Sequence, residues 1–183
     1  MKKIIIGSLV GAVLLFGWQG ISWMVLGIHD TEYLYTPSQD SLLSSISNTI
    51  KEEGQYSLPN LPPGSSKDAM AELGKKMEGK PWAVLTYHNA YKMDMGMQMA
   101  RGFLVCLVCV WLCCVVVARQ REQSFMPVLL TTLTFGIVSF LFVWYIGNNW
   151  GGTPWSVLHA ELIDDLASWG LTGIWLGWWY GRK

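Results

Sequence analysis

Long apolar stretches separated by short polar segments dominate the chain, and four of them stand out, at 4–28, 102–118, 125–146 and 166–180. A bilayer core about 30 Å thick needs roughly 20 helical residues to cross it. The first and third stretches are long enough by themselves, and the second becomes long enough when residues 99–101 are added. We therefore predict four membrane-crossing helices, at 4–28, 99–118, 125–146 and within 154–181.

The fourth apolar stretch is the shortest, but the residues before it favour one long helix. Thr153 is a good N-cap and Pro154 suits the first helical position. No further proline interrupts the chain before its end. We expect an outer loop at 147–153 and then a helix over 154–181, whose first turns lie at the membrane surface and whose remainder contains the fourth span.

The beginning of the chain has the pattern of a membrane anchor. Lys2 and Lys3 precede an apolar run that ends in Trp18, Trp23 and Met24 without a small-x-small cleavage site. The run is about twice as long as the core of a typical secretory signal. An uncleaved signal anchor is therefore the better interpretation.

The distribution of basic residues predicts the orientation. Lysine and arginine outnumber acids beside the inner ends of the spans, at Lys2, Lys3, Arg119, Arg121, Arg182 and Lys183. The segment after the first span has more acids than lysines, and residues 147–165 hold acids but no lysine or arginine. By the positive-inside rule, both termini are cytoplasmic and the long segment is periplasmic, in a bacterial inner membrane.

That periplasmic segment, 29–98, alternates helix and strand signals. An amphipathic pattern predicts a helix over 37–53, and capping serines before a second pattern predict another over 66–78. Strands are expected at 55–58 and 81–88. The simplest arrangement is a small α+β domain with two helices over a two-stranded sheet.

The composition agrees with a protein that faces lipid, since hydrophobic residues make up 51% of the chain, charged residues 14%, and there are 11 tryptophans. The fold class is thus membrane α-helical, a four-helix transmembrane bundle with the small α+β domain between helices 1 and 2. All four cysteines lie in the second span, at Cys106, Cys109, Cys113 and Cys114. They cannot form disulfides in the outer domain, and we expect them to pack as small apolar side chains.

Methionines alternate just before the second span, at Met93, Met95, Met97 and Met99, and His88 lies nearby. Thioethers and imidazole are ligands for copper, especially Cu(I). Residues two apart on a helix point about 200° away from each other, so the four methionines cannot share one face. Packing at the membrane surface is therefore the preferred interpretation and Cu(I) binding the alternative. No other cofactor is predicted.

Arg101 is the charged residue of the second span, near its outer end. A guanidinium in a span needs a partner or must reach the headgroups. The fourth helix offers carboxylates at the same depth, and we predict that Arg101 faces Asp164 or Asp165. Snorkelling to the headgroups is the alternative.

All three histidines, His29, His88 and His159, fall on the predicted outer side. Histidines from different helices at one depth are able to ligate a haem or a metal. We expect them to act as hydrogen-bonding residues at the interface instead.

Glycines at four-residue spacing indicate close helix packing, at Gly7 and Gly11 in the first span and at Gly173, Gly177 and Gly181 in the fourth. Such spacing lets two helix backbones approach. We expect these helices to dock with one another, or with helices of other inner-membrane subunits or of a second copy. No feature indicates nucleic-acid binding.

The functional interpretation is largely by exclusion. The outer segment has no nucleophile beside a base and no phosphate-binding glycine loop, so no catalytic residues are assigned and the protein is not expected to be an enzyme. No ionisable group lies near the middle of a span, as a pump would require. We expect an accessory, structural or assembly subunit of an inner-membrane complex. Copper handling is the alternative, and an oligomeric carrier for a small apolar or lipid-like substrate is a further one.

Three stretches carry a resemblance: GKPWA at 79–83, RGFL at 101–104, and 170–179. Together with the long opening span, they resemble small four-span bacterial inner-membrane proteins of no assigned activity. The resemblance implies a membrane location. It implies no cofactor, partner or site residue.

Overall fold

The computed structural model describes residues 1–182, so Lys183, one of the predicted cytoplasmic charges, lies outside the described residues. The chain is mostly helical and forms two compact units. We call Tyr35–Lys92 the small unit, and we call residues 1–34 together with those from Met93 onward the helical unit. The predicted outer domain, 29–98, is somewhat longer at both ends than the small unit.

The elements follow one another in the order α1 (Lys2–Met24), α2 (Gln39–Thr49), β1 (Gly54–Leu58), α3 (Lys67–Met77), β2 (Ala83–Tyr87), α4 (Met95–Ala118), α5 (Phe125–Ser139), a π-helical segment (Phe140–Tyr145), α6 (Ile146–Gly151) and α7 (Trp155–Gly181). The left-handed Gly152, with φ at 69°, ends α6. Pro154 takes the N-cap position of α7, so the helix begins one residue later than predicted. Helix α5, the π-helical segment and α6 form one continuous helix over Phe125–Gly151.

Among residues 1–182, three helices are long and apolar enough to cross a membrane: α1, α4 and the continuous helix Phe125–Gly151. Helix α7 has 27 residues but is not among them. Its first half carries Glu161, Asp164 and Asp165, and acids lower mean hydropathy. The fourth span therefore stays a prediction.

Helix α1 packs between α4 and α7, and α7 also packs along α5. The end of α7 lies beside the start of α1, and the first half of α7 lies beside the end of α1, so the two helices are antiparallel. Two indoles of α7 donate hydrogen bonds to backbone carbonyls of α1, Trp179 to Lys3 at 2.9 Å and Trp175 to Gly7 at 3.4 Å. The Thr172 hydroxyl donates to Ser168 of its own helix at 2.8 Å and also lies 3.4 Å from the Gly11 carbonyl oxygen of α1. These indole and hydroxyl groups are thereby satisfied inside the helical unit.

The predicted packing glycines lie at helix contacts. A Cβ on Gly11 would come within 2.7 Å of a Val110 methyl group, and one on Gly177 within 2.8 Å of the Phe125 carbonyl oxygen. The other glycines of the pattern, Gly7, Gly173 and Gly181, also face neighbouring helices. The core between the helices includes Cys106, Cys113 and Cys114, all buried and free, as expected for packing residues.

The small unit contains the elements that the sequence predicts, but not as a packed layer. Strands β1 and β2 pair antiparallel, with Tyr56 opposite Leu85. Neither α2 nor α3 packs extensively on this hairpin, so the expected arrangement of two helices over the sheet is not formed. No residue of Tyr35–Lys92 is buried. Five-residue strands and short polar helices leave too little apolar surface for a core of their own.

We expect Gly177→Ala to destabilise the helical unit. The added methyl group would meet a backbone oxygen of Phe125, which cannot rotate away, and overpacking of this kind typically costs about 1–3 kcal/mol. The matched control is Gly17→Ala, since a Cβ at Gly17 meets nothing within 4 Å. Thermal unfolding of the purified protein in mild detergent should show a lower midpoint for Gly177→Ala and an unchanged or higher midpoint for Gly17→Ala. Equal midpoints would contradict the close approach of α5 and α7.

Candidate functional site

A cluster of buried and partly buried polar side chains joins the end of α1, the loop that follows it and the first half of α7. We call these five residues the His29 cluster: Ser22, His29, Glu32, Glu161 and Asp164. It lies where α1 and α7 meet at the opposite end from Lys3 and Trp179. Buried polar groups are costly unless they are paired, so such a concentration indicates a structural or functional role.

The loop after α1 turns back and brings His29 against the helix it has just left. Gly27 adopts φ at 61°, a conformation that favours glycine, and the Asp30 amide donates to the Gly27 carbonyl at 3.3 Å. The Glu32 amide donates to the His29 carbonyl at 3.0 Å. A Cβ at Gly27 would lie 2.8 Å from an Asp30 carboxylate oxygen, so the turn depends on this glycine.

Both ring nitrogens of His29 face carboxylates. Nδ1 lies 2.5 Å from Glu32 Oε1, and Nε2 lies 3.0 Å from Asp164 Oδ2. The indole of Trp23 stacks on the imidazole with ring centroids 4.0 Å apart and an interplanar angle of 8°. The ring is thus held at both edges and on one face, and only 5% of the residue is exposed.

Asp164 has three hydrogen-bond partners, two on α1 and one on the loop that follows it. Its Oδ1 accepts from the Ser22 hydroxyl at 2.5 Å and from the Trp18 indole at 3.0 Å, and its Oδ2 faces His29. Each of these donors is needed, because a buried carboxylate keeps its charge only when its oxygens are satisfied. Asp164 therefore ties α7 to α1 and to the loop.

The charge state of His29 follows from these contacts. When Glu32 and Asp164 are ionised, their oxygens only accept hydrogen bonds, so both ring nitrogens then act as donors and the ring is an imidazolium. Burial lowers the pKa of His29, but the hydrogen bonds and charges of Glu32 and Asp164 outweigh it and raise the pKa above its ordinary 6.5.

One imidazolium does not balance the cluster. Glu161 adds a third carboxylate beside Glu32 and Asp164. Within residues 1–182, no lysine or arginine forms an ion pair with any of them, since every ion pair there involves a histidine. The cluster is therefore negatively charged overall and favours a proton or a cation.

The geometry of the His29 cluster excludes Ser22 as a nucleophile and permits metal binding. Ser22, His29 and Glu32 line up like a hydrolytic triad, with Ser22 Oγ 2.9 Å from Nε2. Ser22 is fully buried and gives its proton to Asp164, however, so it is not an available nucleophile. By contrast, one ligand atom each from His29, Glu32 and Glu161 lie within 4.8 Å of one another, as a metal site requires.

The predicted partnership of Arg101 with Asp164 or Asp165 is not what the structure shows. Arg101 is exposed on α4 and forms no ion pair with a carboxylate of residues 1–182. Asp164 is satisfied by donors from α1 and the loop, and Asp165 Oδ1 accepts from Ser139 at 2.8 Å. The second oxygen of Asp165 is buried without a hydrogen-bond partner among the described residues.

The residues that the sequence offers as copper ligands are exposed. The methionines before and within the first turn of α4 each keep about half of their surface exposed, at Met93, Met95, Met97 and Met99. Asp94 caps α4 by accepting from the Met97 amide at 3.0 Å, so the segment is helical from Met95 and the methionines alternate around it. In the small unit, His88 Nδ1 lies 4.0 Å from Glu53 Oε2, with 68% of the histidine side chain exposed.

Sequence reasoning singled out His29 and Asp164 separately but did not join them, and it missed Trp18, Ser22 and Glu32 as site residues. The sequence does contain one signal that relates these residues, namely the level at which they lie along their helices. His29 follows the end of α1, and Asp164 lies in the matching part of α7, so the two are at one level of an antiparallel pair. The sequence pattern instead favours Arg101 of the second span as the charged partner of Asp164.

We expect Asp164→Asn to destabilise the helical unit and Asp165→Asn not to. An amide at 164 loses the charge that holds His29 and turns a donor toward the imidazole, which should cost about 1–3 kcal/mol. An amide at 165 keeps the bond from Ser139 and removes a buried charge whose second oxygen has no partner. Thermal unfolding in detergent should show a lower midpoint for Asp164→Asn and an unchanged or higher midpoint for Asp165→Asn. The reverse order would refute this assignment of partners.

Comparison with known proteins assigns no family to the chain. No protein-family model, curated protein or solved structure matches it. Any function must therefore follow from its own residues and their geometry.

Proposed function

We propose that this chain is an accessory, structural or assembly subunit of a bacterial inner-membrane protein complex, acting through helix packing in the bilayer and through the small unit outside it. The observation that carries the proposal is that the small unit has no buried residue of its own. A folded segment without a core requires a surface to cover its apolar side chains, and a partner protein provides one.

The apolar side chains of the small unit are numerous and exposed. Leu42 and Leu43 on α2 expose 52% and 61% of their surface. On the other elements, Met70, Trp82 and Val84 are exposed as well. Exposed leucine and tryptophan in one small unit are typical of a protein-protein interface, where aromatic and aliphatic anchors become buried.

A fourth span completes the proposed membrane part. Helix α7 lies along α1 from the Trp179–Lys3 contact at one end to the Asp164–Ser22 contact at the other. Since α1 is apolar enough to cross a membrane, a helix that follows it over this length crosses the membrane with it. The acids of α7 then lie within or just beyond the last turns of α1, toward one membrane surface.

The orientation rests on charge. Lys2, Lys3 and Arg182 lie at one end of the α1–α7 pair, and the acids of the His29 cluster lie at the other. Basic residues favour the cytoplasmic side. We propose that both termini are cytoplasmic and that the small unit and the His29 cluster are on the periplasmic side.

Two other functions remain sequence predictions. One is copper binding through His88 and the methionines at 93–99, and the other is an oligomeric carrier for a small apolar or lipid-like substrate. The described contacts supply a specific argument for neither. A catalytic role is also not proposed.

We expect replacement of the exposed leucines to release the partner. The tagged chain, extracted in mild detergent from the membranes of cells that produce it at a native level, should migrate in native electrophoresis as part of one larger complex of defined composition. Leu42→Glu with Leu43→Glu should shift it to the mass of the lone chain in its micelle, because a charge in a covered apolar contact is strongly unfavourable.

The matched control is Ser44→Glu, which adds a charge to an already exposed polar position of the same helix. This variant should migrate like the unaltered chain. A lone, monodisperse unaltered chain, or a complex that survives the double leucine replacement, would refute the proposed role of the small unit.

A further inference from the structure

We propose that His29 Nδ1, Glu32 and Glu161 form a binding site for a divalent transition-metal cation, with Zn²⁺ the best fit. This inference concerns the helical unit and does not depend on the proposed interaction role. It rests on the spacing of the three ligand atoms, on the residues that orient His29, and on the charge that the cluster leaves unbalanced.

The spacing fits a small cation. Ligand atoms of a tetrahedral Zn²⁺ lie about 2.1 Å from the metal and therefore roughly 3.4 Å from one another. The three candidate atoms all lie within 4.8 Å of each other. His29 Nδ1 and Glu32 Oε1 lie 2.5 Å apart, a hydrogen-bond distance that places a proton between them. Replacing that proton by the cation moves the two atoms apart and draws Glu161 in.

The second nitrogen of His29 is held as it is in known metal sites. A metal-bound histidine usually donates its other ring N–H to a carboxylate, which fixes the orientation of the ring. Nε2 does so to Asp164 at 3.0 Å. Asp164 is itself fixed by Trp18 and Ser22, and Trp23 stacks on the imidazole. These contacts hold Nδ1 against Glu32, and Glu161 lies beside both residues.

Glu161 is the member of the cluster that no other interaction explains. It is partly buried, yet no side chain or amide of residues 1–182 donates a hydrogen bond to its carboxylate. Every other polar side chain of the cluster has such a partner. A carboxylate beside a histidine and a second carboxylate, without a donor of its own, is placed to ligate a cation.

The charge balance of the His29 cluster also favours a bound divalent cation. With an imidazolium, the carboxylates of Glu32 and Asp164 leave one negative charge uncompensated in a largely buried place, and Glu161 adds a second when it is ionised. A divalent cation with a neutral imidazole leaves one. The proton that Nδ1 gives up passes to solvent, as in other metal sites.

The ligand types select the class of metal. Imidazole nitrogen with carboxylate oxygens suits Zn²⁺ and its first-row neighbours. The site has no thioether or thiolate for Cu(I), and three ligands including a nitrogen suit Mg²⁺ and Ca²⁺ poorly. Three protein ligands also leave the fourth position of a tetrahedral Zn²⁺ open to water.

The test uses the full chain, purified in detergent and stripped with a chelator. Titration of Zn²⁺ against a chromophoric competitor, together with metal analysis after desalting, should give one ion per chain. Glu161→Gln and Glu32→Gln should each weaken binding by more than about 100-fold, which exceeds the loss usual for an outer-shell contact. Mg²⁺ and Ca²⁺ at the same concentration should not displace the zinc.

The control is the double variant His88→Gln with Glu53→Gln, which removes the exposed histidine and glutamate pair of the small unit. It should bind zinc like the unaltered chain. Absence of a saturable ion per chain, retention of binding in Glu161→Gln, or loss in the control variant would each overturn the proposal.

A second measurement separates lost binding from lost folding. Glu161 accepts no hydrogen bond from the described residues and lies beside other carboxylates, so Glu161→Gln should unfold at or above the midpoint of the unaltered metal-free protein. Added Zn²⁺ should raise the midpoint of the unaltered chain, because a ligand that binds the folded state stabilises it, and should leave that of Glu161→Gln unchanged. An equal rise in both proteins would count against the site.

Discussion

The charge of Asp164, held inside the helical unit, is the constraint on which the arrangement of α1, α7 and the loop between α1 and the small unit depends. An ionised carboxylate in such a place is strongly unfavourable unless its oxygens are satisfied. Here one oxygen accepts from Trp18 and Ser22 of α1, and the other meets His29 of the loop. The acid therefore sets how far α7 extends along α1 and which way the loop must turn.

The opposite end of the same helix pair is fixed by a different kind of contact. There Trp175 and Trp179 donate to backbone carbonyls of α1, and Lys3 donates to the Arg182 carbonyl at 2.8 Å. In an apolar environment no water competes for these groups, so the helices satisfy one another's polar atoms directly. Between the two ends, glycine allows close approach, as at Gly11 against Val110. The pair is thus hydrogen-bonded at both ends and closely packed in its middle.

The two units of the chain bury their apolar residues to very different extents. The helical unit has a continuous core that includes Val110, Val128 and Leu176, all fully buried. The small unit has none, although it contains a regular hairpin and two helices. Helices that are apolar enough to cross a membrane can bury their outward side chains in a bilayer, whereas the leucines and the tryptophan of the small unit remain exposed. This difference is the physical basis for proposing that the small unit acts through a partner protein.

The amino-acid sequence determined by itself what depends on local pattern. Apolar runs of sufficient length marked α1, α4 and the helix over Phe125–Gly151, and capping residues with short strand patterns placed the elements of the small unit to within a few residues. Glycine spacing indicated the packing faces. Tertiary structure alone decided which groups meet. Arg101 and His29 both lay at a depth that suited Asp164, and nothing local ranked one above the other. The turn at Gly27 returned His29 to the helix end, and Arg101 stayed at the surface. Likewise, helices and strands were readable in the small unit, but the absence of a core was not, because burial depends on how elements pack and not on their own sequence periodicity.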